Sequence, residues 1–116
     1  MIFIGKTFDF DAAHFLPHVH EGHKCRRMHG HTYRVEFKLQ GTVDERGMIC
    51  DYAEIASAWA PIHDMLDHQT LNDIPGLENP TTEVLAPWIL REFKKSRLPV
   101  VSVRVYESSS TYCEAF

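Results

Sequence analysis

The chain has 116 residues, of which 44% are hydrophobic and 24% are charged, an ordinary composition for a globular protein. This length supports one hydrophobic core, so we expect a single domain over residues 1–116. The net charge of −4 argues against nucleic-acid binding, which usually needs a basic surface, and no apolar stretch approaches the roughly 20 residues that cross a membrane. The N-terminus lacks a signal-peptide pattern and the three cysteines form no pairing framework, so we expect a cytoplasmic protein.

Two alternating strands are predicted in the first third of the chain. Residues 2–14 alternate in hydrophobicity, and the face predicted to be buried carries Phe8, Phe10, Ala12 and His14. Residues 15–28 follow neither a strand nor a helix period and contain proline and glycine, so they predict a loop. The alternation resumes at residue 29, where one face carries His29, His31, Tyr33, Val35, Phe37 and Leu39.

The middle of the chain predicts two helices. Asp51 is a suitable N-cap for the first, because Glu54 follows three residues later in the capping-box position. The apolar stripe of this helix consists of Tyr52, Ile55, Trp59, Ile62 and Leu66. Pro61 lies within the helix and should kink or interrupt it. Asn79 followed by Pro80 predicts the start of the second helix, whose apolar stripe consists of Leu85, Trp88, Ile89 and Phe93.

Two further strands are predicted near the C-terminus, over residues 100–107 and 111–116. The order ββααββ predicts an α+β fold, in which a four-stranded antiparallel sheet carries two helices on one face. Because open sheet edges are able to pair with strands of other chains, we also expect an oligomer.

Histidines are concentrated at the ends of the first two predicted strands. The chain has eight histidines, and six of them lie within residues 14–31. His29 and His31 project from the same strand face, and His14 ends the first strand on its apolar face. If these strands pair as a hairpin, the three imidazoles meet at one end of the sheet. Three imidazoles with an open fourth position are typical of a catalytic zinc site.

The loop between the two strands carries the rival histidine set. His18, His20 and His23 lie where no period directs their side chains, so we expect solvated loop residues rather than metal ligands. His23 is also a candidate contact for a phosphate group.

Cys25 is the candidate base or nucleophile. It lies beside Lys24, Arg26 and Arg27, and nearby cations or a metal ion favour the reactive thiolate. Two alternatives stay open, namely an inert thiol and a fourth zinc ligand that closes a structural site.

Two carboxylates are further candidates for the site. Asp67 precedes His68, and a carboxylate is able to orient an imidazole, although neighbouring residues seldom face each other and a capping or turn role is the alternative. Glu107 ends an otherwise apolar strand face. A carboxylate in that place could accept two N–H bonds from a cyclic guanidine-like ligand, unless the strand has already reached solvent.

These separate motifs occur together in one known family. The segments that carry the likeness are Phe-Asp-Ala-Ala-His at 10–14, Cys-Arg-Arg-Met-His-Gly-His at 25–31, Leu-Asp-His at 66–68, Glu-Asn-Pro-Thr-Thr-Glu at 78–83 and Val-Tyr-Glu at 105–107. Over nearly its whole length the chain resembles the 6-pyruvoyl-tetrahydropterin synthase family, and within it the bacterial 6-carboxy-5,6,7,8-tetrahydropterin synthases of queuosine biosynthesis.

The resemblance implies the tunnelling fold and a role for each motif. The implied ligands of Zn²⁺ are His14, His29 and His31. The implied catalytic residues are Cys25 as the proton-abstracting base and, as its partner relay, Asp67 and His68. The implied substrate-binding residues are Glu107, which would hold the guanidine-like edge of a pterin, and nearby Thr82 and Glu83.

The reaction that the resemblance implies converts 7,8-dihydroneopterin triphosphate into 6-carboxy-5,6,7,8-tetrahydropterin, with release of acetaldehyde and triphosphate. The alternatives are a 6-pyruvoyl-tetrahydropterin synthase, which only eliminates triphosphate, and a non-catalytic zinc- or pterin-binding module. Candidate ligands of the triphosphate are Lys24, Arg26 and Arg27. Family members with a carboxylate in place of the loop cysteine make a different pterin, and Cys25 argues against that class.

The resemblance also implies an assembly. Members of this family form a homohexamer, a dimer of trimers joined through sheet edges, with active sites at subunit interfaces. We therefore expect Cys25 and His68 of one active site to come from different chains.

Overall fold

The computed structural model describes residues 1–116 and has the element order ββααββ. The elements are β1 (Phe3–His14), β2 (His29–Gln40), α1 (Tyr52–Leu66), α2 (Thr82–Lys94), β3 (Val100–Tyr106) and β4 (Tyr112–Ala115). The strands form one antiparallel sheet in the order β1-β2-β3-β4. This architecture confirms the predicted α+β fold. Neither helix combines the length and the apolar character that a membrane span needs.

The β1–β2 hairpin places the histidines at one end of the sheet. The two strands pair over their full length, from Phe3 opposite Gln40 to His14 opposite His29. The predicted alternation is confirmed, because every second side chain of each strand turns inward. The inward side chains of β2 that are at most 1% exposed are Tyr33, Val35, Phe37 and Leu39.

Both helices cover the same face of the sheet and close the core over it. The buried stripe of α1 consists of Ile55, Trp59, Ile62 and Leu66, and that of α2 includes Leu85, Trp88, Ile89 and Phe93. Tyr52 is the exception to the predicted stripe, because its side chain at the first turn of α1 is exposed. Aromatic stacking joins the layers, with 4.0 Å between the ring centroids of Phe37 and Phe93.

Helix α1 begins at the predicted capping box and continues through Pro61. The predicted capping box between Asp51 and Glu54 is present in both directions. The helix continues through Pro61, so the expected interruption does not occur. A proline within a helix costs about 3 kcal/mol. Apolar side chains buried on both sides of Pro61, including Trp59 and Ile62, offset that cost because burying each contributes about 1.5–3 kcal/mol.

The predicted start of α2 was wrong by two residues. The N-cap is Thr81 rather than Asn79, and the Thr81 hydroxyl accepts a hydrogen bond from the backbone N–H of Val84 at 3.3 Å. Pro80 therefore precedes the helix, and its carbonyl oxygen bonds the ring of His14 at 3.0 Å. The physical reason is that this carbonyl has a partner in the sheet, so the helix begins only after it.

Candidate active site

Three histidines converge at the end of the β1–β2 hairpin. His14 is the last residue of β1 and His29 the first of β2, and the two are direct cross-strand partners. His31 lies two residues further along β2 on the same face. One nitrogen atom from each ring lies within 4.8 Å of the other two. The strand register therefore produces the cluster that the sequence predicted.

Backbone carbonyls orient two of these rings. The Nδ1 atom of His14 lies 3.0 Å from the carbonyl oxygen of Pro80, and Nδ1 of His29 lies 2.7 Å from that of Arg27. A carbonyl oxygen only accepts hydrogen bonds, so each Nδ1 carries the proton and each Nε2 presents a lone pair. This is the arrangement in which outer hydrogen bonds fix a metal-binding imidazole.

The inward nitrogens of the three rings form no hydrogen bond to any other residue of the chain. The Nε2 atoms of His14 and His29 face each other at 3.0 Å, and Nε2 of His31 is buried with no hydrogen bond. Two lone pairs at this separation repel unless a cation lies between them. An unpaired buried nitrogen is also costly. The three rings together therefore fit a metal ion.

Burial favours the neutral, metal-binding form of two of the three rings, His14 and His31. The side chain of His14 is fully buried, and burial lowers its pKa below the usual value. Burial also lowers the pKa of His31, against the opposing charge of Glu107. Beneath them the Tyr33 hydroxyl lies 3.3 Å from Nδ1 of His14, and burial raises the pKa of Tyr33, so its phenol stays protonated.

The rival loop histidines do not form a metal site. The triad is the only group of three or more His, Cys, Asp or Glu side chains whose ligand atoms converge. His23 has a local role instead, because its Nδ1 accepts the backbone N–H of Cys25 at 3.0 Å and so caps a short 3₁₀ turn, Lys24–Arg26. Cys25 does not belong to the ligand group either.

A cavity of about 430 Å³ lies beside the triad and contains Cys25 and Glu107 together with two of the histidines. Its lining residues are Lys24, Cys25, Arg27, Met28, His29, His31 and Glu107. The side chain of Glu107 is 32% exposed, and its Oε1 lies 3.5 Å from Nε2 of His31. The Glu107 carboxylate is therefore only partly exposed to solvent, although β3 ends one residue earlier, at Tyr106.

The basic residues around Cys25 differ in their placement. Lys24 and Arg27 line the cavity. Arg26 instead donates a hydrogen bond from Nη1 to the carbonyl oxygen of Val19 at 2.8 Å, which ties it to the loop. Only two of the three predicted cations are therefore available to a ligand in this cavity.

Asp67 and His68 face each other despite their adjacency. His68 adopts a left-handed backbone with φ of 59°, and its Nδ1 lies 2.8 Å from Oδ2 of Asp67. The backbone of Asp11 holds both residues, since its N–H donates to Oδ1 of Asp67 at 3.0 Å and its carbonyl accepts the N–H of His68 at 2.6 Å. The bond to Asp67 raises the pKa of His68. The bonds from Asp11 and His68 lower the pKa of Asp67.

His68 does not lie in the cavity that contains Cys25. Its side chain is 77% exposed and lines a second cavity of about 480 Å³. His31 is the only residue that lines both cavities. One chain therefore does not bring Cys25 and His68 into a common cavity.

The segment 78–83 contacts the triad through one backbone carbonyl and does not line the Cys25 cavity. Thr82 and Glu83 begin α2 and are joined by a hydrogen bond of 2.9 Å, but neither lines the Cys25 cavity. The residue of this segment that contacts the triad is Pro80, through its carbonyl oxygen. The sequence did not predict this contact or the one from the Arg27 carbonyl. Every residue has a backbone carbonyl, so the residue type does not indicate which one binds a histidine ring.

Comparison with solved structures gives the fold. The chain matches the structure of Caenorhabditis elegans 6-pyruvoyl tetrahydropterin synthase with a TM-score of 0.88 and 23% sequence identity, over 98% of this chain and 94% of that one. The fold and the site together define a tunnelling-fold protein with a candidate metal centre.

The sequence comparisons give the family. The 6-pyruvoyl tetrahydropterin synthase profile matches residues 3–116. A 6-carboxy-5,6,7,8-tetrahydropterin synthase of Synechocystis is 41% identical over all of this chain and 94% of its own length. A dihydroneopterin monophosphate aldolase of Pyrococcus furiosus is 32% identical over 75% of this chain and 70% of its own length. The chain belongs to the 6-pyruvoyl tetrahydropterin synthase family, which confirms the resemblance and supports a lyase that acts on pterins.

Proposed function

We propose that the chain converts 7,8-dihydroneopterin triphosphate and water into 6-carboxy-5,6,7,8-tetrahydropterin, acetaldehyde and triphosphate, as a step of queuosine biosynthesis. The observation that carries this proposal is the set of three inward imidazole nitrogens beside a cavity that also contains Cys25 and Glu107. The 41% identical Synechocystis relative bears the name of this activity.

His14, His29 and His31 are the proposed ligands of Zn²⁺. Their support is the unpaired Nε2 of His31 and the two Nε2 atoms that face each other at 3.0 Å. Bound zinc would supply Lewis-acid polarisation of the substrate side chain. Three histidines leave a fourth position for a substrate oxygen. The hydrogen bonds to Pro80 and Arg27 hold the rings in the orientation that this requires.

Cys25 is the proposed base that removes a proton from the substrate side chain. Its support is its position in the cavity with His29 and His31, outside the group of metal ligands. A base in this place is free to take a proton, whereas a fourth ligand would be engaged. The 3₁₀ turn capped by His23 fixes the backbone of Cys25.

Glu107 is the proposed anchor of the substrate ring. A carboxylate is able to accept two parallel N–H bonds from a guanidine-like edge, which fixes the orientation of the ring as well as its position. The contact of Thr82 and Glu83 with the same ring stays a prediction from the family resemblance, because neither residue lines the Cys25 cavity in one chain. Lys24 and Arg27 line the cavity and are the proposed contacts of the triphosphate.

His68 is the proposed proton donor, oriented by Asp67. The raised pKa of His68 favours the protonated ring that a donor needs. Because Cys25 and His68 line different cavities in one chain, we propose that the active site is completed between chains of a homohexamer. The outer strands of the sheet are β1 and β4. Residues 67–70 cover the edge of β1 at Asp11 and Ala13, so the surfaces proposed to pair are β4 and the part of β1 that precedes Asp11. Light scattering should then give six times the chain mass of 13.4 kDa.

The experiment that tests the activity compares products and substrates together. Zinc-loaded protein is incubated with 7,8-dihydroneopterin triphosphate and, in parallel, with the monophosphate, and acetaldehyde, triphosphate and pterin products are measured. Acetaldehyde with a 6-carboxy pterin supports the proposal. Triphosphate without acetaldehyde would move the assignment to the 6-pyruvoyl reaction. Preference for the monophosphate would favour an activity like that of the aldolase relative. Zinc binding with no turnover of either compound would leave a non-catalytic binding module.

A further inference from the structure

Glu107 lies against the histidine triad as well as in the substrate cavity. Its Oε1 is 3.5 Å from Nε2 of His31, the nitrogen that is buried without a hydrogen bond. The side chains of Glu107 and His31 are 32% and 24% exposed, so water screens their interaction only in part. A negative charge therefore faces the atom that is free to bind a cation.

The charge of Glu107 acts on the ring that it faces. Across 3.5 Å its negative field attracts a cation held at Nε2 of His31. Three neutral imidazoles leave a divalent ion with its full charge, so a neighbouring carboxylate provides the compensation that the ligands lack.

We propose that Glu107 sets the metal affinity of the site formed by His14, His29 and His31. It acts through its charge and not as one of the three ligands, because the ligand atoms that converge within 4.8 Å belong to the histidines alone. The inference rests on the proposed metal site and is independent of the reaction. Glu107 thus raises the affinity for the metal ion even when no substrate is bound, in addition to its proposed contact with the pterin.

The test is a measurement of zinc affinity without substrate. Metal-free protein and the variant E107Q compete for zinc with a chromophoric chelator, and circular dichroism confirms that each is folded. We expect E107Q to bind zinc about ten- to hundredfold more weakly, the usual effect of changing a group outside the ligand shell. The variant E107D, which retains the charge, should bind zinc more tightly than E107Q.

The matched control is E36Q. Glu36 lies on the outward face of β2, where it contacts Arg34 and Tyr106, and its side chain is 27% exposed. This variant loses the same charge at similar exposure but away from the triad, so its zinc affinity should equal that of the original chain. Equal affinities of E107Q and E36Q, or an E107D that binds no better than E107Q, would overturn the inference. Because no substrate is present, this result is separate from the outcome of the product assay.

Discussion

His14 and His29 point their Nε2 atoms at each other across 3.0 Å, while both Nδ1 atoms are bound to carbonyl oxygens. Both protons are therefore on the outer side of the rings, and both lone pairs point inward. A proton between the rings would create a buried imidazolium, which burial of His14 disfavours. A metal ion would satisfy both lone pairs at once, together with the unpaired Nε2 of His31.

Replacement of His31 by alanine should weaken zinc binding. The change removes one of three ligands, so we expect a loss of about a hundredfold or more, beyond the usual effect of changes outside the ligand shell. Zinc content after dialysis, measured by mass spectrometry, checks this. His20→Ala is the control, because His20 lies in the loop set and should leave the zinc content unchanged. Loss of zinc in the control variant alone would favour the loop histidines.

Replacement of Cys25 by alanine should abolish most turnover without loss of zinc. A positioned base contributes about 10²–10⁴-fold to the rate, and Cys25 is not among the converging ligands. Turnover and zinc content are measured on the same sample. If zinc and folding were lost together, Cys25 would be a structural ligand and the site a non-catalytic module.

Replacement of Asp67 by asparagine should lower the pKa of His68. The hydrogen bond and charge of Asp67 are the main causes that raise this pKa above 6.5, and asparagine removes the charge. Titration of the ring by NMR measures the change. The control is Asp64→Asn, since Asp64 contacts His63 and should not move the pKa of His68. An unchanged His68 pKa in the Asp67 variant would show that the pair does not form.

The pair formed by Asp67 and His68 makes the stability of the fold depend on pH. The raised pKa of His68 contributes stability that is fully present below pH 6.5 and is lost as the pH rises through its folded pKa. The lowered pKa of Asp67 contributes stability that is present above pH 3.8 and is lost as the pH falls through its folded pKa. The difference in unfolding midpoint between the original chain and Asp67→Asn should therefore be largest between these limits.

Replacement of Thr81 by alanine should destabilise the fold by about 1 kcal/mol, the usual cost of losing an N-cap. The Thr81 hydroxyl accepts the N–H of Val84 at the start of α2. Urea unfolding at one fixed protein concentration measures the change. Asn79→Ala is the matched control, because Asn79 is not the N-cap. A larger effect from Asn79 than from Thr81 would restore the start of α2 that the sequence predicted.

The strands were predictable from their alternation, and the triad followed from them on the condition that β1 and β2 pair as a hairpin, which they do. Alternation assigned the inward faces of β1 and β2, and the observed hairpin register places His14 opposite His29. The continuity of α1 through Pro61 was not predictable, because it depends on packing against the sheet rather than on local preference. The Pro80 carbonyl at His14 joins residues 66 positions apart, and no local pattern records such a contact. The left-handed backbone that turns His68 toward Asp67 also depends on the edge of β1.

The measurement that tests the central claim most directly is a zinc titration of turnover. Metal-free protein receives increasing zinc, and the rate of acetaldehyde release from 7,8-dihydroneopterin triphosphate is followed at each addition. The account predicts no turnover without metal, a rate that rises in proportion to added zinc, and a plateau at one ion per chain. Full turnover in the metal-free protein, or a plateau that persists after removal of His14, His29 and His31, would contradict it.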